Sequence, residues 1–388
     1  MSAALKPQAL RAGALYALIF GALGAHLPFW PLWLSEWGLS AAEVGFYTGC
    51  GVFVRIFAGL TLPLLADRLG ARRQVVAIIS AIGATVFALH PYIEDRTVLL
   101  LATLATGLVY PGMIPVTDAL TSAAGRAHGF AFGVARAWGS LAFVVANFAV
   151  GWLIGSYGAD MARVWIVACL FAGIFFALLH PGGGLTPAGT RPGMRDAVLL
   201  ARKPVFVLFL LAIGFSEASH GVYYAYGSVH WRALGLETGT IGLLWAFPVA
   251  LETLLMFLLG AAIVQRLGPV GAIAVAGAAG VLRWSLMMTD PLGPLLWAVQ
   301  ALHIVTFAVG YLGAIAFIAE AVEDRLASTA QGLFGAAFGG FLTACAMAVS
   351  GLIYPALGGL TYGAAAVMSA TGLFAALVLR RYWSGGPV

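Results

Sequence analysis

Trp37-Gly38-Leu39-Ser40, followed by Val44-Gly45-Phe46, is the stretch on which the architecture of this chain turns. It returns as Leu234-Gly235-Leu236-Glu237, followed by Ile241-Gly242-Leu243, about half of the 388 residues further on. The turn Asp67-Arg68-Leu69-Gly70 returns at nearly the same offset, as Gln265-Arg266-Leu267-Gly268. Two copies of one unit joined head to tail account for both coincidences.

The chain is 62% apolar and 9% charged. Six apolar runs can be read in each half, most of them long enough to cross about 30 Å of hydrocarbon as helices of about 20 residues. They cover 10–34, 41–65, 74–91, 98–121, 132–156 and 162–180, then 204–229, 240–264, 270–288, 294–317, 328–354 and 360–380. No amphipathic surface helices remain to enclose so large an apolar core, so lipid must cover it. The expected fold is an all-α membrane protein, twelve transmembrane helices in two pseudo-symmetric six-helix bundles. Residues 1–180 form the first bundle, 181–203 a cytoplasmic linker and 204–388 the second. The linker region, His180 to Pro204, is rich in Gly, Pro and Arg and reads as flexible. The 50 glycines suit helices that approach closely in lipid, with Gly151/Gly155 and Gly335/Gly339 at four-residue spacing.

Basic residues set the orientation. Of 20 Lys and Arg, 14 fall on one side, among them Lys6, Arg11, Arg68, Arg72, Arg73, Arg126, Arg202, Lys203 and Arg266. Arg96, Arg163 and Arg232 fall on the other. The positive-inside rule then puts both termini in the cytoplasm, for a monomer spanning a bacterial cytoplasmic membrane. The pI near 9.2 follows from that topology and does not argue for nucleic acid. The first apolar run is too long for a cleavable signal and lacks a small-residue cleavage site. Cys50, Cys169 and Cys345 have neither metal-ligand spacing nor the look of a disulfide framework. No nucleotide-binding glycine loop, Gly-x-Ser-x-Gly elbow, His-Glu-x-x-His or Cys-x-x-Cys is present, which argues against a pump, a hydrolase or a metalloenzyme, and no cofactor is implied. A duplicated membrane bundle of this kind implies a transporter, not an enzyme, with its substrate site between the halves.

Asp67-Arg68-Leu69-Gly70-Ala71-Arg72-Arg73 resembles the gating-loop signature of the major facilitator superfamily, with Pro63 in place of its leading Gly. Finer matches resemble the branch holding phenylpropionate permeases, nucleoside–proton symporters and lactose permease. They are Pro115-Val116-Thr117-Asp118-Ala119-Leu120, Phe132 to Ser140, Ser219 to Tyr224, Ile241 to Trp245 with Glu252, Arg283-Trp284, and Gln300-Ala301-Leu302-His303 with Thr306-Phe307. The resemblance implies secondary transport by alternating access. In lactose permease a histidine in the context of His303 is followed three residues later by a glutamate essential to coupling; here that place holds Thr306. Asp118 and Arg136 match its substrate-binding carboxylate and guanidinium.

A charge at mid-bilayer costs about 2.5–3.5 kcal/mol on insertion scales, so each needs a reason. Arg55, Asp118, Arg136, Glu217, Glu252 and Arg283 are such groups, and His26, His220 and His303 accompany them. Glu252 lies two turns from Trp245 on one helix face and is the repeat counterpart of Arg55. A carboxyl held between an apolar cavity and a guanidinium is suited to taking up and releasing a proton; a static pair with Arg283 is the alternative. His303 and Gln300 share a face. Asp118 and Arg136, on adjacent spans, can meet; there the choice is between substrate contact through the planar guanidinium fork and a salt bridge. Glu217, His220 and Tyr224 form a polar-aromatic stripe with Tyr223 alongside, and Phe29 and Trp30 lie between Pro28 and Pro31, where a kink can turn rings inward. Such rings describe a pocket for a flat organic molecule, or simple packing.

The expectation is proton-coupled symport of a small organic solute, an aromatic carboxylate in the first instance. Proton coupling would rest on Glu252, Asp118 or Glu217 with His303 and Arg283. Substrate would meet Arg136, Asp118, Arg55, Phe29, Trp30, His220, Tyr223, Tyr224, Trp245 and Gln300. Nucleoside or sugar import, export of aromatic compounds, and a non-transporting receptor or scaffold are the alternatives.

Overall fold

The computed structural model describes residues 6–182, 194–323 and 326–387. Every regular element among them is helical. Helix α1 is Pro7–Glu36, and α2 is Ala41–Phe53, resuming as Arg55–Leu69. Helix α3 is Arg72–Leu89; α4 is Arg96–Gly107, resuming as Val109–His128; α5 is Phe132–Tyr157 and α6 Asp160–Leu178. In the second copy α7 is Pro204–Ala218, resuming as His220–Ala233, α8 is Thr238–Leu267 and α9 Pro269–Met287. Helix α10 begins as Gly293–Ala301, passes through a π-helical stretch, Ile304–Val309, and ends as Gly310–Ala321. Helix α11 likewise has a π stretch, Gly335–Leu342, between Ala327–Phe334 and Thr343–Leu357. Helix α12 is Tyr362–Tyr382.

Among the described residues, eleven helical runs are long and apolar enough to cross a bilayer. The last of them is 54 residues long and holds most of α11 and all of α12. Gly358, with a φ of 52°, ends α11, and a short 3-10 turn leads into α12. Positive φ is cheap only for glycine, which places the turn where an apolar run alone would have continued.

Tight packing divides the chain into two units. One comprises Met1–Ser40, Phe53–Pro187 and Trp231–Ala246; the other comprises Ala41–Val52, Ala188–His230 and Phe247–Val388. The first turns of α2 therefore pack in the second unit, and those of α8 in the first. Glycine makes both crossings possible. In the second unit a Cβ on Gly45 would stand 2.6 Å from the carbonyl oxygen of Met347 and 2.8 Å from Cα of Gly351. In the first, a Cβ on Gly151 would lie 2.5 Å from the Thr238 carbonyl. The expected close approach at Gly335/Gly339 is not found, because both fall in the π stretch of α11 and a Cβ at either would meet nothing within 4 Å.

The linker is not wholly irregular. Met194–Ala201 is helical, and Leu200 is buried in the core of the second unit with Phe206, Phe209 and Phe317. An apolar face too short to read as a span still finds a core to cover. Arg191 and Arg325 lie outside the described residues, as does the Asp67 side chain. Of the gating loop, Gly70 takes a φ of 62° and Arg73 donates to the carbonyl of Pro181 at 2.6 Å, fastening the start of the linker.

Candidate functional site

In the second unit, α7, α8, α9 and α10 converge on Arg283. Its side chain is fully buried, with Cζ 4.4 Å above the ring of Trp284 and 5.3 Å from that of Tyr223. Stacking leaves the rim of a guanidinium free to donate. Nη1 donates to Nδ1 of His303 at 3.0 Å and to the hydroxyl of Thr306 at 3.2 Å, and Nη2 donates to Oε1 of Gln300 at 3.1 Å. Gln300 passes the chain on, its Nε2 donating to the Tyr223 hydroxyl at 2.9 Å. Gln300 and His303 thus do share a face, and the π stretch that begins after His303 brings Thr306 to the same guanidinium.

Donor bookkeeping fixes the two imidazoles. Arginine only donates, so Nδ1 of His303 is an acceptor and the ring proton sits on Nε2. That nitrogen lies 3.5 Å from Oε2 of Glu252, which is largely buried on α8. In His220, Nδ1 faces the Glu217 carbonyl at 2.9 Å and must donate, while Nε2 lies 3.1 Å from the Thr306 hydroxyl. Glu252 and Arg283 form no direct ion pair among the described residues. His303 stands between them as a neutral imidazole, so the static pair with Arg283 that the sequence offered as an alternative is not made. Thr306, in the position where lactose permease has its glutamate, serves as a neutral hub.

Glu217, on α7, is 2% exposed, and neither carboxyl oxygen finds a hydrogen-bond partner among the described residues. Its Oε1 lies 2.6 Å from the place a Cβ on Gly310 would occupy, so it points at bare backbone of α10. Tyr224 is 6.0 Å from His220, ring to ring.

The first unit holds a smaller polar group. Tyr16 on α1 donates to Oδ1 of Asp118 on α4 at 2.5 Å. Arg136 on α5 lies with Cζ 4.0 Å above the ring of Phe20 and 5.6 Å from that of Tyr16. Asp118 and Arg136 are close enough to influence each other electrostatically, yet they form no ion pair among the described residues. Sequence reasoning brought these two together and missed Tyr16 and Phe20. The only signal was a hydroxyl one turn from a ring in an apolar span, a pattern that packing produces equally well.

Other expected residues go elsewhere. Helix α1 runs unbroken through Pro28 and Pro31. Trp30 stacks on Trp33 at 4.6 Å and meets Phe87 and His90 edge-on, so it faces α3 instead of the Arg136 group. Phe29 packs near Gly151. Trp245 falls within the first unit, and Arg55, also there, lies in electrostatic reach of His26. Trp138 packs against Gly13 of α1.

Residues 10–362 match the MFS_1 like family. The chain belongs to it. This places the protein in the major facilitator superfamily, among multi-pass membrane transporters. The chain is 27% identical over 349 residues to a protein of Escherichia coli (strain K12) described as a probable 3-phenylpropionic acid transporter, covering 88% of this chain and 90% of that one. It is 26% identical over 329 residues to maltose permease of Geobacillus stearothermophilus, covering 83% and 81%. The crystal structure of the nucleoside transporter NupG superposes with a TM-score of 0.83 at 17% identity, covering 98% of this chain and all of that one. At that identity the likeness is one of fold alone.

Proposed function

We propose that the protein is a proton-coupled symporter of a small aromatic carboxylate, of which 3-phenylpropionate is the type. It would work by alternating access in a bacterial cytoplasmic membrane, with both termini cytoplasmic. The observation that carries the coupling is the Glu252–His303–Arg283 chain. Because Nδ1 of His303 is taken by Arg283, the imidazole stays neutral and the exchangeable proton belongs to Glu252. Ionised, Glu252 balances Arg283 across the ring. Protonated, it no longer balances the guanidinium, and an anion is then favoured. Proton and carboxylate therefore assist one another, and the pair crosses without a bare net charge.

The 3-phenylpropionic acid relative supports the choice of substrate, and so does Arg136, whose planar fork suits a carboxylate. Uptake of labelled 3-phenylpropionate into proteoliposomes under an imposed pH gradient tests the reading. Gradient-dependent accumulation is expected, and Glu252→Gln should abolish it while preserving counterflow. Full accumulation by that variant would remove Glu252 from the coupling role. Absence of flux in the parent protein, with this and other aromatic acids, would turn the reading toward a non-transporting scaffold.

A further inference from the structure

Arg136 and Asp118 carry opposite charges on neighbouring helices of one unit and still do not pair. Two features keep them apart. Tyr16, fully buried, claims Oδ1 of Asp118 with a short charge-assisted bond. Arg136 lies flat on Phe20, in a slot kept open by Gly139, where a Cβ would stand 3.0 Å from the Phe20 ring and 3.3 Å from Nη1 of Arg136. A guanidinium held by its face keeps its N–H rim for a ligand. Among the described residues Arg136 makes no hydrogen bond or ion pair, so that rim is unclaimed.

We propose that Tyr16 is a positioning residue that determines specificity: by tying Asp118 to α1 it withholds the carboxylate from Arg136 and so admits carboxylate-bearing substrates. Without the phenol, Asp118 swings to the guanidinium, and an incoming anion must displace an internal one. The inference rests on the proposed reading of Arg136 as the carboxylate anchor. It goes beyond that reading by naming the residue on which the anchor's availability depends.

The test is a double-mutant cycle on the full chain in detergent, with 3-phenylpropionate binding followed calorimetrically for the parent, Tyr16→Phe, Asp118→Asn and the double variant. Tyr16→Phe should weaken binding by about tenfold or more, the scale of one lost charge-assisted interaction. Adding Asp118→Asn should recover most of that loss, because the competitor can no longer ionise. A purely structural role for the phenol predicts no such rescue. Binding by Tyr16→Phe at the parent's affinity, or a double variant as weak as the single one, overturns the proposal.

A second readout needs no substrate. Phenylglyoxal labelling of Arg136, quantified by mass spectrometry, should fall in Tyr16→Phe and return in the double variant. Unchanged labelling in Tyr16→Phe also overturns the proposal. If the parent binds no aromatic acid while the labelling pattern holds, the substrate reading fails and the positioning of Asp118 by Tyr16 stands.

Discussion

Gly242 of α8 lies so close to Asn147 of α5 that a Cβ there would stand 2.2 Å from the Asn147 carbonyl oxygen. No rotamer relieves such a contact, because the obstacle is backbone. Gly242→Ala should therefore destabilise the protein by about 1–3 kcal/mol, the usual range for overpacking. Gly239, on the same helix, has nothing within 4 Å, and Gly239→Ala should be neutral or stabilising by up to about 1 kcal/mol through helix propensity. Thermal unfolding in one detergent compares the two, and equal midpoints would show that α5 and α8 do not pack this closely.

The same contact explains how much of the fold could be read beforehand. Gly45 and Gly242 are counterparts in the repeated phrase that revealed the duplication, and both occur where a helix crosses another with no room for a side chain. Repetition was visible because its physical cause is repeated. Arg283, His303 and Gln300 were legible for a similar reason, since polar groups in an apolar run must find one another. Tyr16 was not, because one hydroxyl beside aromatic rings looks the same whether it packs or binds. Trp30 is a different case: two flanking prolines suggested rings turned inward, for a pocket or for packing, and the ring is buried in an unbroken helix, packed on Trp33 and Phe87.

Arg283 serves three acceptors on α10 with two nitrogens, a geometry only a planar fork provides. Arg283→Lys keeps the charge but should leave at least one buried acceptor unsatisfied, at a cost of about 1–3 kcal/mol. His303→Leu should cost a similar amount and also cut the link from Arg283 to Glu252. The expected signature is a lowered unfolding midpoint in both, with uptake losing its dependence on the pH gradient in His303→Leu. Gradient-driven uptake at the parent's level in that variant would remove the imidazole from the coupling path.

His180, just past the end of α6, anchors the start of the linker in the first unit. Its Nδ1 accepts from the Gly182 amide at 3.1 Å, so its proton is on Nε2, 3.2 Å from the hydroxyl of Thr121. Burial, then the nearby charges of Arg73 and His128, push its pKa down to about 4. The folded form therefore holds a neutral ring that the unfolded chain protonates near pH 6.5. Stability should be flat above about pH 6.5 and fall progressively as pH drops toward 4, by up to about 3 kcal/mol. His180→Gln should flatten that slope. Midpoints of unfolding taken from pH 4.5 to 7.5 decide it, and parallel curves for the two proteins would rule out the ring as the titrating group.

Glu217 separates stability from transport. Its head lies against Gly310, and neither oxygen is met by a donor among the described residues. An unsatisfied buried polar group costs about 1–3 kcal/mol, so a shape-matched apolar replacement should recover part of that. Glu217→Met is expected to raise the unfolding midpoint. If the carboxyl is retained for proton movement, the same substitution should slow gradient-driven uptake of 3-phenylpropionate, giving effects of opposite sign in the two assays. A higher midpoint with unaltered uptake would leave the carboxyl with no part in coupling. A lower midpoint would mean that a partner satisfies it in the membrane, and the search for that partner would begin with Glu252 and Tyr224, the groups in its electrostatic reach.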